Sequence, residues 1–323
     1  MKRIPSLRKH NYIARVGIFL IAVALVVVGL GCPLSVTMTV NPAVGGTTSP
    51  SGTLSYEAGT TVNITATPNL GYQFAIWTAV PPVTFAIANR PSTNFVLTQN
   101  VTVTAHFVKM LEHFKCYEVK GDTAPYIGEN VILEDQFGTV NAKVESAEFF
   151  GNPAEKWLND VQTPIGDRNH HLTVYNITTE SEPKTWQVEV VNQFGLQQLT
   201  VSGPVALAVP TWKVEPGSNK PEGLDHFLLY EVVGGNSVGV TVSLDDQFDK
   251  GSVWVGKPSF FANPVRKSDG ETVTEIVNPE AHLVFYELQA ESFEKTVQVV
   301  NQFGEQTLDV YYPRLLAVPS EKI

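Results

Sequence analysis

Four histidines, each followed four residues later by a tyrosine, are the side chains with the most obvious chemical potential: His113/Tyr117, His171/Tyr175, His226/Tyr230 and His282/Tyr286. Imidazole and phenol invite a metal site or proton transfer. Residues four apart in a strand share a face, so each pair consists of near neighbours. Yet each pair belongs to a different stretch of chain. None of those stretches supplies the His/Cys/carboxylate cluster that a closed metal site needs. His170, beside His171, adds a second imidazole in one of them only. The histidines are therefore read as structural, each bonded to a neighbouring unit's backbone, because buried polar groups are normally paired. Asp135 and Asp246, next to Glu134 and Asp245, could hold Ca²⁺ at a turn. The matching residues elsewhere are Asn192 and Asn301, which serve a turn as well and a cation worse, so the reading is turn chemistry. No nucleophile elbow, His-Glu-x-x-His helix or Walker loop occurs, and no carboxylate pair recurs in a setting that suggests glycoside hydrolysis. No catalytic residue, metal or cofactor is expected.

These residues are positioned by a repeat. Asn192-Gln193-Phe194-Gly195 is written again as Asn301-Gln302-Phe303-Gly304, with relatives Asp135-Gln136-Phe137-Gly138 and Asp246-Gln247-Phe248-Asp249. Sixteen residues after each Phe stands Pro153, Pro210, Pro264 or Pro319, and three residues further Lys156, Lys213, Lys267 or Lys322. The histidines recur every 55 to 58 residues, so the chain after residue 112 is a fourfold repeat. Alternating valines and leucines flank each Asn/Asp-Gln-Phe, which predicts a hairpin or tight β-corner with Phe137, Phe194, Phe248 and Phe303 as staples beneath it. The prolines are expected to close the last strand at an edge. The lysines after them are read as solvated strand ends.

Units one and three end alike (Phe149-Phe150-Gly151-Asn152-Pro153, Phe260-Phe261-Ala262-Asn263-Pro264), as do two and four (Leu207-Ala208-Val209-Pro210, Leu316-Ala317-Val318-Pro319). The unit of duplication is therefore a pair. This predicts two tandem β-sandwich- or barrel-like domains, 112–213 and 225–323, each built from two pseudo-repeated units, with 214–224 as linker. The pattern resembles a family of uncharacterised repeat domains from exported proteins, which carry His-x-x-Cys-Tyr, Asp/Asn-Gln-Phe-Gly and a closing Leu-Cys-x-Pro-x-x-Lys. Here Cys116 survives. Gly151, Ala208, Ala262 and Ala317 hold the closing cysteine positions, and Val174, Leu229 and Phe285 the others. Any disulfide framework the resemblance implies is lost, and Cys116 is expected to pack as a small buried hydrophobe.

Residues 1–32 read as an export segment. Lys2, Arg3, Arg8, Lys9 and Arg15 precede an apolar run from Val16 to Leu30 and then Gly31-Cys32. The run is short for a membrane span, which needs about 20 residues. It resembles a bacterial lipobox with Cys32 as the lipidated residue, although the large apolar residue stands two before the Cys instead of three. The alternative is an uncleaved anchor helix. Either reading places the rest outside the cytoplasm, tethered to a membrane. Losing those five cations takes the formal charge from −10 to −15, which argues against nucleic acid as a partner.

Between anchor and repeat, 36–107 reads as short strands, with Val36–Val40, Thr61–Ala66 and Val101–Phe107 alternating. The order Gly45-Gly46, Tyr56, Gly59, Val62, Gly71-Tyr72-Gln73-Phe74, Trp77 and Thr104-Ala105-His106-Phe107 resembles the divergent InlB B-repeat, a module of bacterial surface proteins. That resemblance implies a spacer or adhesive module. Tyr72, Phe74, Trp77 and Phe107 are its expected core.

The whole is expected to be all-β and non-enzymatic: a cell-surface protein that binds or adheres to a glycan, an envelope polymer or a protein. A spacer without a ligand is the alternative, and a hydrolase with a site between units a distant third. A binder should expose aromatics that break the repeat. Trp186, Trp212 and Trp254 do break it, and their competing role is partial core burial.

Overall fold

The computed structural model describes residues 34–323 apart from 43, 70, 122 and 123. The export segment and Cys32 lie outside the described residues. The described residues form strands and no helix, as the Val- and Thr-rich alternation predicts.

Seven strands make the first module: β1 (Ser35–Pro42), β2 (Gly46–Ser49), β3 (Gly52–Glu57), β4 (Thr60–Pro68), β5 (Tyr72–Val80), β6 (Ser92–Leu97) and β7 (Val101–Lys109). They form one sheet in the order β3-β1-β7-β5 and another in the order β2-β4-β6. Phe74, Trp77, Phe95 and Phe107 are buried in its core, while Tyr72 is half-buried at its rim.

Each repeat unit contributes a His-led strand, a short strand and a long one. Unit one has β8 (His113–Val119), β9 (Asn130–Asp135) and β10 (Gly138–Leu158). Unit two has β11 (Val161–Thr163), β12 (His171–Thr179), β13 (Lys184–Asn192) and β14 (Gly195–Lys213). Unit three has β15 (His226–Gly234), β16 (Val240–Asp245) and β17 (Lys250–Ser268). Unit four has β18 (Val273–Thr274), β19 (His282–Gln289), β20 (Lys295–Asn301) and β21 (Gly304–Lys322).

Register shifts bend every long strand near its middle. The first half forms a hairpin arm with the short strand before it. The second half joins a ring of antiparallel neighbours in the order β8-β10-β12-β14-β15-β17-β19-β21. The ring closes where β21 returns to β8, with Leu315 opposite Cys116 and Ala317 opposite Phe114. Closure leaves the ring no unpaired edge.

Strand alternation gives the ring two faces. Inward point small and apolar residues such as Phe114, Cys116, Leu172, Ala208, Phe227, Ala262 and Ala317, all essentially inaccessible. Phe149 and Phe260 meet across the ring at 6.5 Å, which places this set on the inside. The cysteine positions of the resemblance lie directly opposite one another within each unit: Cys116 faces Gly151, Val174 faces Ala208, Leu229 faces Ala262 and Phe285 faces Ala317. Outward point the histidines, the tyrosines and the lysines, covered by the arms.

The halves 112–213 and 225–323 are not separate bodies. Each arm pairs with the end of the long strand two units away: β9 with β17, β13 with β21, β16 with β10 and β20 with β14. Segment 214–224 joins the ring neighbours β14 and β15 and so does not space two domains apart. Nor do the prolines end strands at an edge. Pro210 pairs with Leu172 inside the ring, and each Pro stands two residues beyond the last pairing on its strand's other side, where no partner awaits its missing N–H. The first module docks on this assembly: His106 Nδ1 lies 3.0 Å from Glu321 Oε2, and Asn89 donates to the Leu158 carbonyl at 3.4 Å.

Candidate functional site

The repeated residues, scattered in sequence, meet at four equivalent junctions. Each junction combines three units: the turn of one, the Tyr of the unit two further on, and the His and Lys of the unit before. In every turn the Asp or Asn Oδ1 accepts the N–H of the Phe two residues later: Phe137 at 2.8 Å, Phe194 at 2.9 Å, Phe248 at 3.0 Å and Phe303 at 2.9 Å. This is the side-chain turn expected of Asn and Asp. The Phe then packs edge-on against a Tyr, at 4.9 Å for Phe137–Tyr230, 5.1 Å for Phe194–Tyr286, 5.0 Å for Phe248–Tyr117 and 5.2 Å for Phe303–Tyr175.

The Asp/Asn alternation has a hydrogen-bond reason. Asp135 Oδ2 accepts from Tyr230 Oη and Asn263 Nδ2, both at 2.9 Å. Asp246 Oδ2 likewise receives Asn152 Nδ2 at 3.1 Å and lies 2.9 Å from Tyr117 Oη. In the other two junctions the polarity is reversed. Asn192 Nδ2 donates to Tyr286 Oη at 2.8 Å and Ser320 Oγ at 2.9 Å, and Asn301 Nδ2 donates to Tyr175 Oη at 2.7 Å and Thr211 Oγ1 at 3.3 Å. The freed tyrosine protons go to Gln197 and Gln306, both at 2.7 Å. At Asp135 an acceptor-only carboxylate faces donors, and at Asn192 and Asn301 a donating amide faces hydroxyls. A Ca²⁺ ion would compete with contacts these carboxylates already make. Among the described residues no three His, Cys, Asp or Glu side chains converge as a metal site would need.

The lysines correct the sequence reading most sharply. Lys156, Lys213 and Lys267 are buried, not solvated, and Lys322 is half-buried. Each covers the Phe of the next unit's turn, at 5.5 Å (Lys156–Phe194), 5.1 Å (Lys213–Phe248), 5.9 Å (Lys267–Phe303) and 5.0 Å (Lys322–Phe137). Lys156, Lys213 and Lys322 donate to Gln193, Gln247 and Gln136 of those same turns. In the fourth junction Gln302 instead meets His226 Nε2 at 3.0 Å, and Lys267 lies 3.5 Å from Asp269. A buried ammonium without a counter-charge is costly, and burial holds Lys156 down at about 7. The histidines are buried and kept neutral. Desolvation, aided by the nearby lysines, depresses His171 and His282 to about 3 and His226 to about 4, and holds His113 well below the usual range. His226 bonds to a neighbouring side chain instead of the expected backbone, and His282 is buried with no hydrogen-bond partner at either ring nitrogen, so the expected backbone bond is absent there too. Cys116 is buried inside the ring, as expected, and its thiol is pushed up by desolvation.

Of the three tryptophans that break the repeat, Trp186 stacks on Phe137 at 4.7 Å and meets Tyr230 at 5.3 Å, which makes it part of a junction. Trp212 is half-buried and tied by Nε1 to Ser218 at 2.9 Å. Trp254, also half-buried, lies on a sheet face where its paired residues Thr241 and Gln289 are exposed. A Cβ at Gly256 would come within 2.6 Å of its ring, so the indole lies along the strand over that glycine. The register carries the same face across three strands: Trp254 opposite Thr241, Ser252 opposite Ser243, and Ser243 opposite Trp157. Trp157, 39 % exposed, was not singled out by the sequence reading, although it too is absent from the other units. The two indoles stand two strands and two residues apart, on the order of 12 Å. Between and around them are Ser243, Ser252, Thr241, Gln289, and the Lys250–Asp245 pair at 2.7 Å.

Sequence comparison agrees with this architecture. A repeat of unknown function (DUF7450) matches residues 88–209 and again 197–319, so the chain belongs to that family. Residues 36–111 match the divergent InlB B-repeat domain. Comparison with curated proteins and with solved structures found no match.

Proposed function

We propose that this chain is an exported, membrane-tethered, non-enzymatic surface protein that binds a polysaccharide of the cell envelope on the outer face carrying Trp157 and Trp254. One observation supports this above the others. The repeated polar residues are consumed by the junctions, whereas these two non-repeating indoles lie on a flat face among hydroxyls, an amide and an ion pair. Aromatic faces stack on the apolar faces of sugar rings, and the polar groups around them suit sugar hydroxyls. The InlB-like module and the export segment favour a position at the surface. The alternative of a spacer without a ligand is favoured by the closed, interlocked ring and by the His106–Glu321 contact that fixes the first module to it.

The test is capture of polysaccharide from an envelope extract by the full chain in detergent. Trp157→Ala and Trp254→Ala are expected to weaken Kd about tenfold each, about 1.4 kcal/mol. Capture that survives the double variant, or no capture by folded protein, would leave the spacer.

A further inference from the structure

Two residues break the fourfold pattern, and they break it against each other. The position two after each repeat histidine is Thr173, Leu228 and Val284 in three units but Lys115 in the first. The position after each repeat Phe is Gly138, Gly195 and Gly304 in three units but Asp249 in the third. Those glycines have φ of 131°, 109° and 95°, a region that L-residues avoid, and Asp249 is not among the positive-φ residues. The third turn is closed by the same pair of positions, with the Asp246 N–H donating to the Asp249 carbonyl at 3.1 Å, but without a left-handed residue at its end. In space the Lys115 Nζ sits on Asp249 Oδ1. Lys115 is 1 % exposed and Asp249 42 %, so the amine is enclosed while the carboxyl opens to solvent.

A second carboxyl completes the group. Tyr117 Oη lies 2.8 Å from Asp249 Oδ1 and 2.9 Å from Asp246 Oδ2. One phenol has one hydrogen and can donate to only one of them, so the other contact bonds only if that carboxyl carries a proton. Asp249 carries the Lys115 amine and opens to solvent, whereas Asp246 is the more enclosed of the two and burial pushes its carboxyl up, so the proton is assigned to Asp246. Phe248 and Phe293, at 5.0 and 5.4 Å from the Tyr117 ring, form apolar walls. An amine, a target carboxyl and a proton-bearing carboxyl thus meet beside these aromatic walls, which is the set that amide condensation requires.

We propose that Lys115 and Asp249 join in an intramolecular isopeptide bond, with Asp246 as the proton shuttle. Lys115 gives up its ammonium proton to the Asp249 carboxylate, and the free Nζ adds to the neutral Cγ. The Nζ–Cγ bond forms, and Asp246 protonates the departing hydroxyl while recovering a proton from the nitrogen. One Cγ–O bond breaks and one water leaves. Nothing is oxidised or reduced, and no co-reactant is needed. The bond would tie the ring strand β8 to the turn of the third arm, from the opposite side of the ring.

Mass spectrometry of the full chain tests this directly. The wild type is expected to be lighter than its covalent sum by about 18 Da, and a digest of the denatured protein should yield a branched peptide containing Lys115 and Asp249. Lys115→Arg and Asp249→Ala should restore the full mass. Asp246→Asn, which keeps both partners, should leave the folded chain wholly or mostly uncondensed. A folded wild type of full mass, cut by trypsin after Lys115, would overturn the proposal and leave a buried ion pair. A cross-link persisting unslowed in Asp246→Asn would overturn the role given to Asp246.

Discussion

The two faces of the ring strands are built on opposite principles. Inside, in three of the four units, a larger residue on the His-led strand meets an alanine on the long strand, as with Phe285 opposite Ala317 and Leu229 opposite Ala262, while Cys116 meets Gly151. These pairs are apolar and no polar side chain among them needs a partner. Outside, the same strands present His, Tyr and Lys, and each Tyr and each Lys that follows a repeat Pro meets a turn from another unit. The inner face is specified by size and tolerates any apolar set that fills it. The outer face is specified by donors and acceptors, so that Asp is read by Asn, and Asn by Ser or Thr. Shape holds the barrel together, and hydrogen-bond polarity decides which arm goes where.

Acid should separate the faces most strongly. The outer-face histidines are neutral in both states above about pH 6.5, and only the unfolded chain protonates them between there and their folded values near 3–4. The unfolded state then binds more protons, so stability falls as pH falls, by about 1.4 kcal/mol per histidine per pH unit. Glu112, Asp225 and Asp246, pushed up by burial, offset part of this because the folded state binds their protons more tightly. Urea titrations from pH 6.5 to 4 should show a net loss on the order of 5 kcal/mol. On the inner face, Phe227→Ala should cost about 3–5 kcal/mol and lower the whole pH profile without changing its slope. A changed slope would mean that the faces are coupled.

Lys156→Met sharpens the contrast within the outer face. The unfolded lysine titrates near 10.4 and the folded one near 7, so only the unfolded chain is protonated between them and wild-type stability should rise with pH across that window. The methionine should remove that rise and stabilise the protein by about 2–4 kcal/mol at neutral pH, since it relieves a buried amine without stranding a carboxylate. Thermal melts at pH 7 and 9.5 check both statements. The smallest effect is expected from Gly151→Cys. A Cβ there lies 3.3 Å from Cys116 Sγ, and the two residues are directly paired, so an oxidised variant should close a disulfide worth about 2–3 kcal/mol. Thiol counting and a melt with and without reductant would read it. Failure to oxidise would show that the inner face cannot accept even this adjustment.

Much of the fold was legible because it is local. Valines alternating around Asn192-Gln193-Phe194 specify a hairpin wherever the rest of the chain lies. The Asn or Asp at the turn was read from its own chemistry, and its Oδ1 does accept the N–H two residues on. The lysines were misread because a strand ending in Pro-x-x-Lys looks solvated until its cover is known. That cover, Gln193 and Phe194 for Lys156, comes from another unit. Trp157 was not singled out and Trp186 was, for a similar reason. Absence from the repeat marks a residue as different, but only packing tells whether the difference faces a ring of Phe137 or open solvent.

The sequence by itself determined four equivalent units, their hairpins, their paired endings and the all-β class, because each depends on residue types a few positions apart. Only the tertiary structure decided that the units close into one ring instead of two domains. It also decided that each turn Phe meets the Lys of the preceding unit, and that Lys115 meets Asp249. Those contacts join residues tens to more than a hundred positions apart in sequence, where neither spacing nor alternation constrains the partner. What selects among the possible pairings is the closure of the sheet, together with the cost of leaving any buried donor, acceptor or charge without its complement.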